Sequence, residues 1–427
     1  MYSASKLDKF GVLPKKKAML IAINSLLFAI LYALGYNTII YALIPVLLLI
    51  ESVNDCFSCL GCYIVSRLYI GALYPSVVNV GLFTLVIVSL FLHNLKMIRR
   101  LKGGIFALAS VVLVLLSSLF GINVDINNAI MMLLCIALVM VIYNASIKKE
   151  DGGLGIIIWA YIWAAIGMMA YYGLSVLRNG IIQTTYGRAS FNDNIKSLAI
   201  VMAIGVSIIL YTKMEGKALY KNFDFGFFSY ILIIPMSAIL ILTTARGVIA
   251  ALLISMIVFL LFSNKSQLKI WNAFPLVIFV IIFIISMLDS SAYRISRIFE
   301  TEEFASMSGR TEIWVTHITS VLHSGPLHII LGVGPGQIQR INGSIYYAHS
   351  TFLDFFFCYG ILGIIAILAF EWIILKKLLK AKDAVLLALF TLSVVMYSTH
   401  GGTVNADMYL LQITLLRLSQ SFDESLQ

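Results

Sequence analysis

Long apolar runs recur along almost the whole chain. A membrane-spanning helix needs about 20 mainly apolar residues, because lipid offers no hydrogen-bond partner to a bare backbone group. Such runs fall near 18–34, 37–50, 57–73, 75–92, 104–120, 129–147, 153–176, 195–212, 228–244, 248–262, 270–288, 352–375, 384–397 and 405–418. The pattern predicts an all-α, polytopic integral membrane protein with about 12–14 transmembrane helices, organised as one membrane domain over residues 1–427.

The composition agrees with this prediction. Of 427 residues, 61% are hydrophobic and 12% are charged, whereas about a quarter of the residues of a soluble domain are charged. An ordinary soluble protein is therefore excluded. The five cysteines do not indicate a disulfide framework.

The basic residues predict the orientation, because cytoplasmic loops accumulate Lys and Arg. If the N-terminus is cytoplasmic, 21 of the 30 basic residues fall on the inside, 18 of them lysines. Both termini are then cytoplasmic. The formal charge of +10 is explained by topology, and we expect no nucleic-acid partner.

The other nine basic residues are almost all arginines. They are Arg67, which lies within a predicted helix, and eight at or beyond the outer boundary: Arg178, Arg188, Lys196, Arg246, Arg294, Arg297, Arg310 and Arg340. The planar fork of arginine binds phosphate with two parallel hydrogen bonds. We interpret the enrichment as phosphate recognition on the outer face, the alternative being that arginine is simply tolerated there.

Two outer segments are long, 177–194 and 289–350, and function is expected in them. In the second, the sequence from Ser308 predicts an amphipathic surface helix with Arg310 in its first turn, where a helix favours anions. The alternative is that Arg310 snorkels or pairs with a nearby glutamate. The predicted apolar face consists of Ile313, Trp314, Ile318, Val321 and Leu322.

Two more arginines lie close to predicted helix ends. Arg188 precedes a helix among small and amide side chains that include Asn194, and Arg246 lies in a tight turn, 243–247, between two apolar runs. An arginine buried at that depth without a partner costs about 2.5–3.5 kcal/mol. Each is therefore expected to have an anion or hydrogen-bond acceptors nearby.

A glycine-rich stretch, 331–336, and His349 complete the candidate motifs. The stretch lacks the α/β context of a dinucleotide site. Its glycines allow either a close approach to a ligand or neighbouring helix or a simple chain reversal. His349 precedes a predicted helix, where an imidazole exchanges protons near neutral pH; the alternative is a hydrogen-bonded interface residue.

Other polar residues are weaker candidates. A metal site at Cys56, Cys59 and Cys62 is improbable because a fourth ligand is missing. His317, His323 and His328 are interpreted as ordinary surface histidines. Four charged residues in or near apolar runs are interpreted as packing pairs or a proton path: Glu51, Arg67, Glu371 and Asp407.

In their order along the chain, these pieces resemble the bacterial O-antigen ligase and O-antigen polymerase superfamily. The resemblance covers about the C-terminal 240 residues and rests on Gly187-Arg188 before Asn192 and Asn194, Thr244-Ala245-Arg246-Gly247, Gly309-Arg310 with Trp314, Gly332-x-Gly334, and His349-Ser350 before Gly360-x-x-Gly363. The chain departs from the family pattern in two places. It has Ser350 where Asn is usual, and it lacks the common Pro-x-x-Gly before the glycine turn.

The resemblance implies a metal-independent glycosyltransferase without a cofactor, in the bacterial inner membrane with its active site facing the periplasm. It would transfer a glycan from undecaprenyl diphosphate to an acceptor hydroxyl. His349 and Arg246 would be catalytic, and the donor and glycan would contact Arg188, Arg246, Arg310, Asn194 and Trp314. The expected partners are the undecaprenyl-diphosphate-linked oligosaccharide, an acceptor glycan, membrane lipids and a chain-length regulator.

Three functions remain open at this point. The first choice is a polymerase, whose acceptor is the terminal sugar of another lipid-linked repeat unit. The alternative is an O-antigen ligase, whose acceptor is lipid A-core. A flippase or transporter for lipid-linked glycan is a further alternative, although no internal repeat was found and the distinctive polar residues collect at the outer boundary rather than the midplane.

Overall fold

A computed structural model describes residues 10, 12–95, 103–145, 152–179, 184–185, 188–191, 195–220, 222–264, 310–336, 349–400 and 405–424. In this part of the chain the helices are α1 (Lys15–Ala33), α2 (Asn37–Asn54), α3 (Cys56–Leu73), α4 (Ser76–His93), α5 (Gly104–Phe120), α6 (Ile126–Asn144), α7 (Gly153–Asn179), α8 (Ile195–Met214), α9 (Phe228–Leu242), α10 (Arg246–Phe262), α11 (Arg310–His323), α12 (Pro326–Leu331), α13 (Thr351–Ala381), α14 (Ala384–His400) and α15 (Ala406–Glu424). Two strands of two residues each, β1 (Thr184–Thr185) and β2 (Arg188–Ala189), form an antiparallel hairpin.

The all-α, multi-pass fold predicted from the apolar runs is confirmed. Every predicted run falls on a described helix except 270–288, which lies outside the described residues. Among the described helices, eight are long and apolar enough to cross a membrane, and four further apolar helices have 10–17 residues. Part of the chain is not described, so the expected number of 12–14 transmembrane helices stays a prediction.

Small residues bring the central helices together. Helix α7 packs against α1, α3 and α8. A Cβ on Gly167 of α7 would lie 2.3 Å from Ser25 Oγ of α1, and one on Gly205 of α8 would lie 2.5 Å from Ala165 Cβ of α7. Helices that lack a hydrophobic driving force in lipid gain contact area by such close approach. The glycines therefore set the spacing around α7.

Helix α13 is broken at Gly360, which has φ 64° and ψ −155°. The break leaves carbonyl groups of the preceding turn without helical partners, and the glycine-rich stretch satisfies two of them. Val333 N donates to Phe357 O (2.8 Å) and Gly334 N donates to Cys358 O (3.3 Å). Of the two alternatives for this stretch, a close approach to a neighbouring helix is the one that the structure shows.

Gly332 and Gly360 face each other so closely that neither position has room for a side chain. A Cβ on Gly332 would lie 2.3 Å from backbone atoms of Cys358, and one on Gly360 would lie 2.4 Å from the carbonyl oxygen of Ile330. Both glycines have positive φ, 78° and 64°, where L side chains are disfavoured. The Gly332-x-Gly334 and Gly360 pieces of the motif therefore form one packing unit.

Polar side chains join several helices within the apolar bundle. Arg67 of α3 forms an ion pair with Asp407 of α15. Gln412 of α15 donates from Nε2 to Glu371 Oε1 of α13 (2.9 Å) and to Ser393 Oγ of α14 (3.1 Å). Arg67 and Asp407 therefore do pair with each other, which was one of the two interpretations of these residues.

Candidate functional site

Several predicted site residues lie at one end of the helix bundle. Helices α9 and α10 are separated by only residues 243–245, so the end of α9 and the start of α10 lie together. Consecutive membrane-spanning helices run in opposite directions. The start of α8 therefore lies at the same end of the bundle as the end of α9. We call it the site end, and it includes the starts of α8, α10 and α13.

The pair of His349 and Lys196 joins the starts of α8 and α13. Lys196 Nζ lies 2.7 Å from His349 Nδ1 and 3.3 Å from Nε2. A charged ammonium only donates hydrogen bonds, so the shorter contact requires an unprotonated Nδ1 and a neutral imidazole with its proton on Nε2. In this geometry the contact with Lys196 occupies Nδ1, which can accept a proton from another group only when Lys196 moves away.

The backbone at His349 is held in an uncommon conformation. Its φ is 53°, and among described residues other than glycine only Thr244 and Lys382 share a positive φ. Such conformations cost free energy in residues other than glycine and cluster at functional sites. Two residues later, Thr351 Oγ1 donates to the carbonyl oxygen of Tyr397 (2.9 Å), which ties the start of α13 to α14. His349 is thus positioned by the contact of its ring with Lys196 and by the attachment of the helix that follows it.

Arg246 is the first residue of α10, as the predicted tight turn requires. The turn is stabilised from within, because Thr243 Oγ1 donates to Leu240 O (2.6 Å) and accepts from Ala245 N (3.3 Å). Arg246 N donates to Thr244 O (3.0 Å). The side chain is half-buried and its Nη1 atom is fully buried. A partly dry guanidinium at the positive end of a helix favours an anion close by.

The segment that carries Arg188 is attached to the bundle by aromatic contacts. Phe191 packs against Tyr32, Tyr69 and Tyr171, with ring centroids 4.8, 5.3 and 5.2 Å apart. Strand β2, which contains Arg188, lies against α9, the helix that leads into the Arg246 turn. The backbone of Arg188 is therefore close to that helix. The structure does not describe the Arg188 side chain, and Asn194 lies outside the described residues.

Arg310 is the first described residue of α11, two residues after the expected cap Ser308, which lies outside the described residues. The helix packs on α13. Trp314 is half-buried in it. The side chain of Arg310 is not described, so its proposed contact with an anion stays a prediction.

The buried face of α11 differs from the predicted one. Val321 is buried, but Ile318 and Leu322 are 37% and 48% exposed. In their place the helix buries His317, which is 2% exposed and packs edge-on against Phe357 of α13. The interpretation of His317 as a surface histidine was therefore wrong. The ring can be buried because its Nδ1 donates a hydrogen bond to Ile313 O (2.7 Å). Burial lowers the pKa of His317 although this hydrogen bond acts in the opposite direction.

In the described part of the chain, no group of three or more His, Cys, Asp and Glu side chains is arranged to hold a metal ion. The three cysteines of α3 are buried and contact different groups. Cys59 Sγ donates to Leu48 O (3.5 Å), while Cys62 Sγ and Cys56 Sγ accept from Asn24 (3.7 Å) and Asn94 (3.9 Å).

Lys196 is the residue of this site whose role the motifs did not indicate. It lies two residues after Asn194 and was grouped only with the outer basic residues. A signal existed, because it is the single lysine of that set. An ammonium on a flexible stem can exchange one partner for another more easily than a planar guanidinium fork.

The structure thus defines a multi-pass, all-α membrane protein with a histidine, a lysine and an arginine at one end of its bundle. Residues 231–368 match the family model described as O-antigen ligase, a segment that contains Arg246, Arg310, Trp314 and His349. The resemblance to the O-antigen ligase and O-antigen polymerase superfamily is therefore confirmed. A comparison with curated proteins found no match.

Proposed function

We propose that this protein is a glycosyltransferase that transfers a glycan from undecaprenyl diphosphate to a sugar hydroxyl at the periplasmic face of the inner membrane. The observation that carries the proposal is the Lys196–His349 contact at the same end of the bundle as Arg246. The family match supports an O-antigen ligase or polymerase type of function in general.

In the proposed reaction, the acceptor hydroxyl oxygen forms a bond with the anomeric carbon of the donor. The bond from that carbon to the phosphate oxygen breaks, and undecaprenyl diphosphate leaves with the bonding electron pair. Negative charge grows on the diphosphate as this bond breaks. Arg246 stabilises that charge by donating hydrogen bonds, together with Arg188 and Arg310, so that the step uses no metal or cofactor.

His349 accepts the acceptor proton at Nδ1 as the new bond forms. A sugar hydroxyl is too weakly acidic to lose its proton beforehand, so the transfer is concerted with bond formation. Lys196 couples donor binding to the availability of the base. The donor diphosphate attracts its ammonium, the contact with Nδ1 opens, and the imidazole is free to act only when donor is bound. The proton leaves His349 to water after the product departs.

The acceptor that we propose is the terminal sugar of another lipid-linked repeat unit, which makes the protein an O-antigen polymerase. The specific observation that favours the second candidate, an O-antigen ligase with lipid A-core as acceptor, is the description of the matched family model. Both candidates share the donor chemistry, so a test must separate them by the product.

The test uses purified protein in detergent with a fluorescent lipid-linked repeat unit, alone or together with lipid A-core. Polymerase activity gives longer lipid-linked chains from the repeat unit alone, whereas ligase activity gives labelled core only in the mixture. We expect His349→Ala to reduce the rate by about 10²–10⁴-fold. Arg246→Ala removes a donor to the developing charge and is expected to cost about 10²–10³-fold.

The matched controls are His323→Ala and Arg178→Ala. His323 is exposed at the end of α11, and Arg178 donates from Nη1 to the carbonyl oxygen of Ala33; neither belongs to the proposed machinery. Both controls should retain activity. Absence of any product from wild-type protein in detergent, where transport is impossible, combined with movement of lipid-linked glycan across vesicle membranes, would instead show a flippase.

A further inference from the structure

A polar cavity of about 260 Å³ lies among helices α3, α4, α7, α8, α14 and α15. Arg67 and Asp407 line it, and their side chains are 27% and 21% exposed although the ion pair lies within the bundle. The space they face is the cavity. Its volume is close to the lower end of the range of small-molecule sites, about 300 Å³.

The cavity adjoins the candidate active site. Ser197 lines it and follows Lys196, the partner of His349. Tyr397 lines it too, and its carbonyl oxygen accepts the hydrogen bond from Thr351, two residues after His349. A group bound in the cavity would therefore lie beside the residues that we assign to proton transfer.

The cavity wall combines donors, acceptors and aromatic rings. Arg67 supplies guanidinium donors, Asp407 supplies carboxylate acceptors, and Tyr161 and Phe191 are the aromatic wall residues. Two further wall residues carry buried polar atoms with no hydrogen-bond partner among the described residues, Asn79 Oδ1 and Tyr397 Oη. Buried polar groups without a partner are rare and call for an explanation such as a bound ligand.

The charges of the wall decide the class of ligand. Arg67 and Asp407 neutralise each other, so the described residues of the wall offer no spare cation to a phosphate or carboxylate. A sugar is uncharged, its hydroxyls both donate and accept, and its C–H face packs on aromatic rings. An apolar lipid chain, in contrast, would leave the ion pair and the wall amide desolvated without compensation.

We propose that this cavity is a binding subsite for one neutral sugar unit of a substrate glycan, an inference that rests on the proposed function. The sugar comes either from the donor, next to its diphosphate, or from the end of the acceptor. Both sources present the same hydroxyl chemistry, and kinetics separates them.

The test fills the cavity. Val201 of α8 lines it and is half-buried, so Val201→Phe places a ring in the space for the sugar. The matched control is Val77→Phe on α4, two residues before Asn79, where the side chain is 65% exposed and outside the cavity. Asn79→Ala is a second variant, which removes an amide from the wall without adding volume. All are checked for a single symmetric peak in size-exclusion chromatography.

We expect Val201→Phe to raise KM for one substrate by at least about tenfold, which corresponds to about 1.4 kcal/mol, while kcat changes by less than about twofold. A raised KM for the lipid-linked donor assigns the subsite to the donor sugar, and a raised KM for the acceptor assigns it to the acceptor sugar. Asn79→Ala should raise the same KM by about three- to tenfold through loss of one hydrogen bond. Val77→Phe should match wild type.

Equal KM values in wild type and in both cavity variants would overturn the subsite while leaving the proposed function intact. Calorimetric titration with the released repeat-unit oligosaccharide separates the two proposals further, because it needs no turnover. If wild-type protein shows no transfer, the proposed function fails. The subsite is then supported by oligosaccharide binding that Val201→Phe abolishes, and overturned by binding that this variant leaves unchanged or by no binding at all.

Discussion

Lys196 Nζ lies 2.7 Å from His349 Nδ1, across 153 positions of sequence. The contact connects the helix that follows the Arg188 segment to the helix that begins beside His349. It occupies Nδ1, the imidazole nitrogen that accepts the proton in the mechanism proposed above. Under that proposal, donor binding draws Lys196 away and releases this nitrogen.

We predict that Lys196→Met raises KM for the donor, because the variant loses a charge-assisted contact with the diphosphate. Although Nδ1 of His349 is then no longer held, kcat should fall by about 10–100-fold, because that contact strengthens as the diphosphate gains charge in the transition state. Lys196→Arg keeps the charge and should recover part of the donor affinity. The measurement is steady-state transfer with each substrate varied in turn.

The control for Lys196 is Lys213→Met at the opposite end of α8. Lys213 forms an ion pair with Asp224 at 3.2 Å, and such a partly exposed pair contributes little. A Lys196→Met variant that is as active as Lys213→Met would contradict the role proposed for Lys196.

The close contact of Gly332 and Gly360 at the break of α13 predicts that a larger residue at either position lowers the stability of the fold. Gly332→Ala and Gly360→Ala each add a Cβ within 2.4 Å of backbone atoms at a positive φ, and we expect each to destabilise the fold by at least about 2–3 kcal/mol. Thermal unfolding of the purified protein in detergent measures this.

Gly81→Ala is the matched substitution for these glycines. A Cβ at Gly81 meets no atom within 4 Å, and alanine favours a helix by about 1 kcal/mol relative to glycine. This variant should be as stable as wild type or slightly more so. Similar melting temperatures for all three variants would show that the chain tolerates a rearranged glycine turn.

The Arg67–Asp407 pair predicts a strongly non-additive result. Arg67→Met or Asp407→Leu alone leaves one charge in the bundle without its partner, and each should cost about 3–5 kcal/mol of stability. The double variant removes both charges and should recover most of that loss. Thermal unfolding of the two single variants and the double variant gives the coupling directly, and additive losses would show that the two side chains do not act as a pair.

Because His317 is buried, we predict that acidic pH weakens the packing of α11 against the bundle. Burial lowers the pKa of His317 in the folded protein, so the detached helix binds a proton more readily than the docked one. Docking is therefore fully stable above the ordinary histidine pKa of about 6.5 and is weakened as pH falls below it. Hydrogen exchange of the α11 amides between about pH 5 and 8 measures the effect.

His317→Phe should abolish this pH dependence, because a ring of similar shape remains but cannot be protonated. His323→Phe, a change at an exposed position of the same helix, should leave it unchanged. Protection of α11 that does not vary with pH in wild-type protein would rule out His317 as its cause.

The sequence predicted most of the helices at nearly their observed positions. Spanning helices are local features, because about 20 consecutive apolar residues satisfy their own backbone whatever their neighbours are. The Arg246 turn was also predicted correctly from the local sequence at 243–247. The amphipathic face of α11 was not, because the side that is buried depends on the surface of α13 that receives it.

The sequence by itself determined the class of protein, the order of the helices and the family resemblance, since each depends on residues close together in the chain. The tertiary structure decided which distant residues meet. Lys196 reaches His349, Gly332 packs on Gly360, and Arg67 pairs with Asp407 to line a polar cavity. These contacts depend on which helices become neighbours, and hydrophobicity alone does not encode that choice in a chain whose helices are apolar on nearly every side.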